Sequence, residues 1–543
     1  GKNPNSVAVD IINQVNAEFI RHGVKLVVAV GDLTDAGCSA NPCAPMQTRA
    51  LFAQALYDNG IGFYPLRGNH ESQPAGASEF LRLFPQTQNG VNNVTPLDAY
   101  AVTLGSTTVA GVTTLNTDRL NAPAPGGAPF TVGANFTSPV PPSPNPAAAW
   151  TGLSYAFDYD NVRFMLLDQF MGANGVSTGS GASLNNASEP AIVDQQAWIA
   201  STLAGRPAGS HAFVFAHKGL VTDNHADGLF GADPSKNAAD MDAFITSLQA
   251  AKVHFLVGGH DHIHLHEIVS TVDGKSSVHE LVTQSDSFKF YTPYNPSNDA
   301  KYDAAAFGHG RQQRIAEELW HVGYYIVTVE GANVTVDYYA VPIGLAGAPS
   351  SGVDAPNLAT APTLTGNWQR HDTFGYSLAG KEFIVQQGSP YTVVQDAHGA
   401  TTAAILGGTN GSALQDPLGN APYVKAVDTG WADKPSDAAS DVLTLWGMSD
   451  VGSDVTDAYA LSMSYAGATA AQAASGSFGI AVRDAYGNWV NAVAQNFGGV
   501  PTFVAGPWKA SYGVGAYGVD PATSTAWAVL NYDASFAVAS FQQ

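Results

Sequence analysis

Residues 24–35 carry the sequence VKLVVAVGDLTD, an apolar run that ends in Gly31 and Asp32. Such a run predicts a buried strand, and a glycine at its end allows a sharp turn that projects the following aspartate. The sequence GFYPLRGNHE at 62–71 repeats the arrangement, with Asn69 and His70 after a predicted strand. Because strands of open α/β sheets bring ligands together at their carboxyl ends, both runs predict a shared cleft.

Helices are predicted around these strands. Residues 6–22 place apolar side chains at helical spacing, with Ser6 as the N-cap, and residues 47–59 predict a second helix. Strands alternating with helices predict an α/β layered fold. The later strands are predicted at 162–168, 212–215, 253–257, 323–330 and 333–340, and the later helices near 193–203 and 238–251.

Two later strands also end in histidines. The strand at 253–257 precedes Gly259, His260 and His262, and the strand at 212–215 precedes His217. His217 is favoured over two other candidates, because one precedes that strand and the other lies in a polar loop; these are His211 and His225. The alternative is that His217 only caps a turn. Carboxylate, amide and imidazole groups in this order predict a metal site.

The ordered blocks resemble the calcineurin-like metallophosphoesterase superfamily over roughly residues 1–345. The resemblance implies an α/β/β/α sandwich with two mixed sheets and a site for two metal ions, manganese, iron or zinc, that hydrolyses phosphate esters. Monoesters, diesters, nucleotides and phospholipids are all substrates of enzymes that share these blocks.

The resemblance also implies a role for each residue. Asp32 is the carboxylate that bridges the two metals, and His70 stays off the metals and acts beside the scissile ester. The implied metal ligands are Asp32, Asn69, His217, His260 and His262. His264 and His266 continue the last block with period two, and we expect them at the surface or behind the ligands.

The family's first block, Asp-x-His on the first strand, is not found upstream of the predicted helix at 6–22. Two Asp-x-His strings occur elsewhere, Asp223-Asn-His225 in a loop and Asp396-Ala-His398, whose likeness to Asp484-Ala-Tyr-Gly487 indicates a hairpin turn. A circularly permuted first block is therefore disfavoured. We expect a processed or incompletely represented chain, with the first strand supplied by a preceding segment or by a neighbouring chain; otherwise this form is inactive.

Composition restricts the partners. Of 543 residues, 45% are hydrophobic, and 45 acids against 23 bases give a net charge of −22. That charge argues against a nucleic acid or an anionic membrane as standing partner, whereas bound metals would still admit a phosphate substrate. Cys38 and Cys43 lie in one short loop and predict a disulfide, hence a secreted or periplasmic protein; two free thiols are the alternative.

The predicted domains are a phosphoesterase domain at 1–345, a linker at 346–366 and an all-β, sandwich-like accessory domain at 367–543. Besides a phosphoesterase, two functions stay open. The chain could be an extracellular structural or assembly protein that uses an inactive phosphoesterase domain as a scaffold. Alternatively, the β domain could attach the enzyme to a cell surface or a polysaccharide, or mediate self-assembly.

Overall fold

A computed structural model describes most of the chain. The described residues are 7–39, 42–89, 95–96, 106–109, 112–115, 131–132, 142–178, 190–222, 225, 227–233, 235–287, 290, 310–318, 321–342, 368–378, 382–386, 394–408, 424–446 and 458–542. The predicted N-cap Ser6 and the predicted linker at 346–366 lie outside them. The helices within these ranges are α1 (Val9–His22), α2 (Ala44–Tyr57), α3 (Pro74–Leu83), α4 (Gln86–Asn89), α5 (Pro190–Ala204), α6 (Ala238–Ala250) and α7 (Ala470–Ala474).

The chain divides into two compact units, one of Gly1–Tyr324 with Val341–Trp368 and one of Tyr325–Ala340 with Gln369–Gln543. The strands up to residue 318 belong to the first unit. They are β1 (Leu26–Ala29), β2 (Gly62–Pro65), β3 (Thr95–Pro96), β4 (Ser106–Val109), β5 (Val112–Leu115), β6 (Thr131–Val132), β7 (Ser143–Pro144), β8 (Tyr155–Tyr159), β9 (Val162–Leu167), β10 (His211–Ala216), β11 (Phe255–Gly258), β12 (His264–Ser270), β13 (Ser277–Val282) and β14 (Gln312–Glu318).

Two sheets build the core of the first unit. Among the described residues, β1 pairs in parallel with β2 alone. The second sheet has eight strands in the order β14-β12-β13-β11-β10-β9-β8-β7. Within it β9, β10, β11 and β13 run parallel, whereas β12 and β14 are antiparallel, which makes the sheet mixed.

Each sheet buries one face under helices. Apolar side chains of α1, α2 and α3 pack with Val27 and Phe63 of the small sheet. Helices α5 and α6 pack on the large sheet against Val214 and Leu256. The other faces meet through aromatic rings, since Tyr64 of β2 stacks on Phe157 of β8 with 4.2 Å between ring centroids. The first unit is therefore an α/β/β/α sandwich, which confirms the predicted fold class.

Nearly all the regular elements that the structure describes in the second unit are strands. They are β15 (His321–Glu330, which begins in the first unit), β16 (Asn333–Pro342), β17 (Gln369–Ser377), β18 (Glu382–Gln386), β19 (Val394–His398), β20 (Thr401–Gly408), β21 (Val424–Ala432), β22 (Val442–Trp446), β23 (Tyr459–Ser464), β24 (Phe478–Arg483), β25 (Trp489–Asn491), β26 (Thr502–Ala505), β27 (Ala516–Asp520), β28 (Thr525–Leu530) and β29 (Ser535–Ser540). Two six-stranded sheets, β18-β21-β22-β29-β24-β25 and β19-β20-β23-β28-β27-β26, enclose one apolar core. The β-rich carboxyl-terminal region is thereby confirmed.

One boundary differs from the predicted ranges. Residues 325–340, which the sequence assigns to the first domain, fall in the second unit, because β16 pairs antiparallel with β17 across the linker. The exact domain limits stay a prediction. None of the helices in the described ranges combines the length and apolar character needed to cross a membrane.

Candidate metal centre

The predicted site residues all follow strands of the first unit. Asp32 comes after β1, and Asn69 with His70 forms a short 3-10 helix after β2. His217 follows β10, and His260 follows β11. Because β1 is parallel to β2 and β10 is parallel to β11, both sheets present these residues at carboxyl ends of their strands.

The backbone at the strand ends is strained. Asp32, His260 and His262 have φ angles of 47°, 72° and 57°, in the left-handed region that side chains other than glycine rarely adopt. Such conformations cost free energy and persist only where the surroundings impose them. Here the surroundings include a hydrogen bond of 2.8 Å from the Gly259 N–H to the carbonyl of His217.

Two glycines permit the close approach of the loops. A Cβ at Gly68 would lie 2.0 Å from Asp32 Oδ1, and a Cβ at Gly31 would lie 2.5 Å from His217 Nδ1. Both distances are shorter than any real contact, so side chains at these positions would push the Asp32, Asn69 and His217 loops apart. The glycines predicted to turn the chain therefore also leave room for the site.

Four of the predicted ligands converge. Asn69 Oδ1 lies 3.0 Å from His217 Nε2 and 3.0 Å from His260 Nδ1. Asp32 Oδ1 lies 3.4 Å from His217 Nε2. Ligand atoms of Asp32, His217 and His260 all lie within 4.8 Å of one another. The structure brings these side chains together; their role as ligands stays a prediction.

The outer nitrogens of both imidazoles are held by acceptors. His217 Nδ1 donates to the Val30 carbonyl at 2.8 Å, and His260 Nε2 lies 3.4 Å from Asp227 Oδ1. Because the outer nitrogens are engaged, the inner nitrogen of each imidazole is the one directed at the oxygens of Asn69 and Asp32. Without a metal, a second proton on His217 joins its inner nitrogen to the Asp32 carboxylate, and a cation bound at that point would take the place of that proton. The donor set, with two imidazoles, one carboxylate and one amide oxygen, fits manganese, iron or zinc.

The pKa values of the side chains in the cluster are shifted in different directions. Burial disfavours ionisation of Asp32, but the nearby charge and hydrogen bond of His217 hold the pKa of Asp32 well below its usual value. Burial lowers the pKa of His217, yet the Asp32 carboxylate outweighs it and leaves that pKa raised. Burial and the charge of His225 lower the pKa of His260 to about 3. His260 is thus neutral at pH 7, as a metal ligand must be.

His70 lies at the rim of the cluster. Its Nε2 is 3.9 Å from Asp32 Oδ2, and its backbone N–H donates to Asp32 Oδ1 at 3.1 Å. Its Nδ1 contacts the carbonyl of Asp35 at 2.6 Å, and its own carbonyl accepts the N–H of Cys38 at 3.2 Å. Cys38 forms the predicted disulfide with Cys43, which is thereby confirmed. One hydrogen bond from Cys38 and one to Asp35, three residues before the disulfide, therefore hold His70.

His262 does not join the converging group among the described residues. Its ring centroid lies 6.0 Å from that of His225, whose ring stacks on His260 at 4.0 Å. For His264 and His266 the surface alternative is wrong, while a place behind the ligands stays a prediction. They lie on β12, which begins only at His264, and both are buried; His266 Nε2 contacts His279 Nδ1 at 2.7 Å.

Sequence reasoning missed the residues behind the ligands. Asp227 and Lys218 form a buried ion pair beside His260, and Asp261 accepts a hydrogen bond from the backbone N–H of His225 at 3.0 Å. The only available signal was proximity in sequence, since Lys218 follows His217 and Asp261 lies between two motif histidines. Neither pattern distinguishes them from ordinary loop residues.

The fold and the site define a two-sheet α/β sandwich that carries potential metal ligands at its strand ends. Residues 7–177 match the model of the family described as calcineurin-like phosphoesterase. The match confirms the resemblance drawn from the motifs.

Two solved structures are similar at low identity. GAP50, the anchor in the inner membrane complex of Plasmodium, is 11% identical with a TM-score of 0.32, and the alignment covers 61% of this chain and 80% of that one. The purple acid phosphatase PPD1 from yellow lupin (Lupinus luteus) seeds is 13% identical with a TM-score of 0.32, covering 69% of this chain and 49% of that one. The comparison with curated proteins finds no match for the sequence.

Proposed function

We propose that this protein hydrolyses phosphate esters with metal ions bound in the cluster. The observation that carries the proposal is the convergence of electron-pair donors around one point. Asn69 Oδ1 lies 3.0 Å from an inner nitrogen of each of two imidazoles whose outer nitrogens face acceptors. A cation is the group that such an arrangement accommodates best.

Asp32, Asn69, His217 and His260 would hold one ion, and Asp32 with His262 would contribute to a second, in line with the two-metal site of the family. Bound ions would supply Lewis acidity and an activated water. Asp32 is suited to bridging, because its carboxylate stays ionised far below neutral pH and one oxygen already faces His217. The protein's part is to keep these four side chains in place before an ion arrives.

His70 would act on the leaving group. Because Nδ1 is engaged with the Asp35 carbonyl, Nε2 is the nitrogen left for an ester bound next to Asp32. As an imidazolium, with a second proton on Nε2, His70 would give that proton to the departing oxygen or hold the developing negative charge through it. Its side chain is 27% exposed, so a substrate can reach it without displacing the core.

The disulfide supports a location in an oxidising compartment, and we propose that the protein is secreted or periplasmic. The net charge of −22 supports the proposal that neither nucleic acid nor an anionic membrane is a standing partner. A role of the β-rich unit in self-assembly or surface attachment stays a proposal of the same kind.

The test is hydrolysis of p-nitrophenyl phosphate by protein loaded with manganese, iron or zinc. His217→Ala should lose bound metal and activity together, whereas His70→Ala should keep the metal and lose about 10²- to 10⁴-fold in kcat. His398→Ala, a substitution in the second unit, is the matched control and should change neither. A folded, metal-loaded protein without turnover would refute the proposal and favour the scaffold function.

A further inference from the structure

A chain of three buried side chains lies behind the cluster. Lys218 Nζ donates to Asp227 Oδ2 at 2.5 Å, and Asp227 Oδ1 lies 3.4 Å from His260 Nε2. The side chains of Lys218, Asp227 and His260 are 0%, 12% and 4% exposed. Because a buried charge is costly unless it is paired, Lys218 and Asp227 depend on each other.

The chain positions these residues through one short loop. Lys218 directly follows His217, and the Leu229 N–H donates to the carbonyl of Gly219 at 2.7 Å, which returns the segment carrying Asp227 to the same place. The loop thus begins at His217 of the cluster, and its Asp227 contacts Nε2 of His260. Any shift of the loop would move both rings.

The contact with Asp227 selects the form of His260. A carboxylate accepts hydrogen bonds only, so the nitrogen that faces it carries the proton. With the proton on Nε2, the lone pair of Nδ1 points at Asn69 Oδ1, 3.0 Å away, where the ligands converge. A ligating histidine needs this orientation, and the group behind it determines which nitrogen is free.

Lys218 has a separate task. Without it, the Asp227 carboxylate would be a buried, unpaired charge; without Asp227, a buried ammonium would face the metal cluster. The pair is nearly neutral overall, so it directs a hydrogen bond at His260 without adding a full charge to the site.

We propose that Asp227, held by Lys218, is a positioning residue that fixes His260 in the tautomer that binds metal through Nδ1. The inference rests on the proposed function, since it concerns the same metal cluster. It assigns to Asp227 no contact with the substrate or with the metal.

The test compares two double variants that carry the same charge. Lys218→Met with Asp227→Asn keeps an oxygen acceptor at position 227, whereas Lys218→Met with Asp227→Ala removes it. Mn²⁺ and Zn²⁺ affinities are measured by calorimetry, and the tautomer of His260 by ¹⁵N NMR of the metal-free, histidine-labelled protein, with the signal assigned through His260→Gln.

We expect the alanine double variant to bind metal about 10- to 100-fold more weakly and to lose the Nε2–H signal of His260. The asparagine double variant should keep that signal and most of the affinity. Asp233→Ala, which breaks the exposed pair with Lys236, is the control and should change neither reading.

Equal affinities and equal tautomers in the two double variants would overturn the proposal. If the alanine variant fails to fold, the wild type still decides, because a His260 protonated at Nδ1 in the metal-free protein contradicts the positioning role. If the wild type binds neither ion, the proposed function fails, while the tautomer comparison still tests Asp227 independently.

Discussion

The Arg67–Asp168 pair offers a stringent test of how the Asn69 loop is held. Both side chains are 0% exposed, and the guanidinium donates two hydrogen bonds to the carboxylate, at 2.7 and 2.9 Å. Arg67 also donates to the carbonyl of Glu71 at 3.1 Å, so the pair ties the Gly68–Glu71 turn to the end of β9.

Arg67→Met removes the cation and leaves Asp168 charged, buried and short of two donors. Breaking a buried pair in this way costs about 3–5 kcal/mol. The second substitution, Asp168→Leu, then removes a carboxylate that is already unpaired. We therefore expect the double variant to be no less stable than either single variant, with a coupling energy of about 3 kcal/mol.

Denaturant unfolding of the metal-free protein measures these free energies. Lys275→Met is the control, because its pair with Asp273 is exposed and its loss should cost under about 1 kcal/mol. Bound manganese is counted in parallel, and Arg67→Met should retain less because Asn69 follows two residues later. If the two single losses simply add in the double variant, the argument is refuted.

Three further predictions concern the site and its surroundings. Gly68→Ala places a Cβ 2.0 Å from Asp32 Oδ1, so metal content should fall, whereas Gly513→Ala, with open space, should leave it unchanged. Burial raises the pKa of Glu280 to about 8, so the folded protein keeps this carboxyl protonated at pH values where the unfolded chain has lost the proton. The free energy of unfolding should therefore fall as pH rises from about 4.5 to about 8. Glu280→Gln should flatten that dependence in unfolding curves recorded across this range. If Glu280→Gln leaves the change of unfolding free energy with pH as it is in the wild type, the prediction is contradicted. Replacing Cys38 and Cys43 by serine should cost about 2 kcal/mol in denaturant unfolding and lower kcat while metal stays bound; an unchanged kcat would show that the loop does not align His70.

Strand ends were the part of the site that the sequence could predict. Gly31-Asp32 and Gly68-Asn69-His70 each follow an apolar run. An apolar run that ends in glycine predicts both a buried strand and the turn after it. His217 was separated from His211 by the same logic, and the structure indeed places His211 at the start of β10 and His217 after its end. The order of local patterns was sufficient because parallel strands align their carboxyl ends.

Features that depend on distant contacts were not predictable. His264 and His266 continue a period of two, yet the left-handed backbone at His260 and His262 separates them from those residues. A period of two in the sequence cannot predict such φ angles. Asp227 is one of many loop aspartates until the fold sets it against His260. The pairing of β16 with β17 joins strands on either side of a long linker, which no local pattern indicates.

The residues of the metal cluster lie far apart in the chain, so they come together late in folding. Asn69 contacts histidines that lie 148 and 191 positions later in the chain. Contacts between such distant positions form late, because the loop between them must close first. A chain emerging from the ribosome therefore carries Asp32 and Asn69 well before His217 and His260 have been synthesised. The segment that matches the family ends at residue 177, ahead of both histidines. We expect metal to arrive as the last component of a folded unit rather than as the nucleus around which it folds.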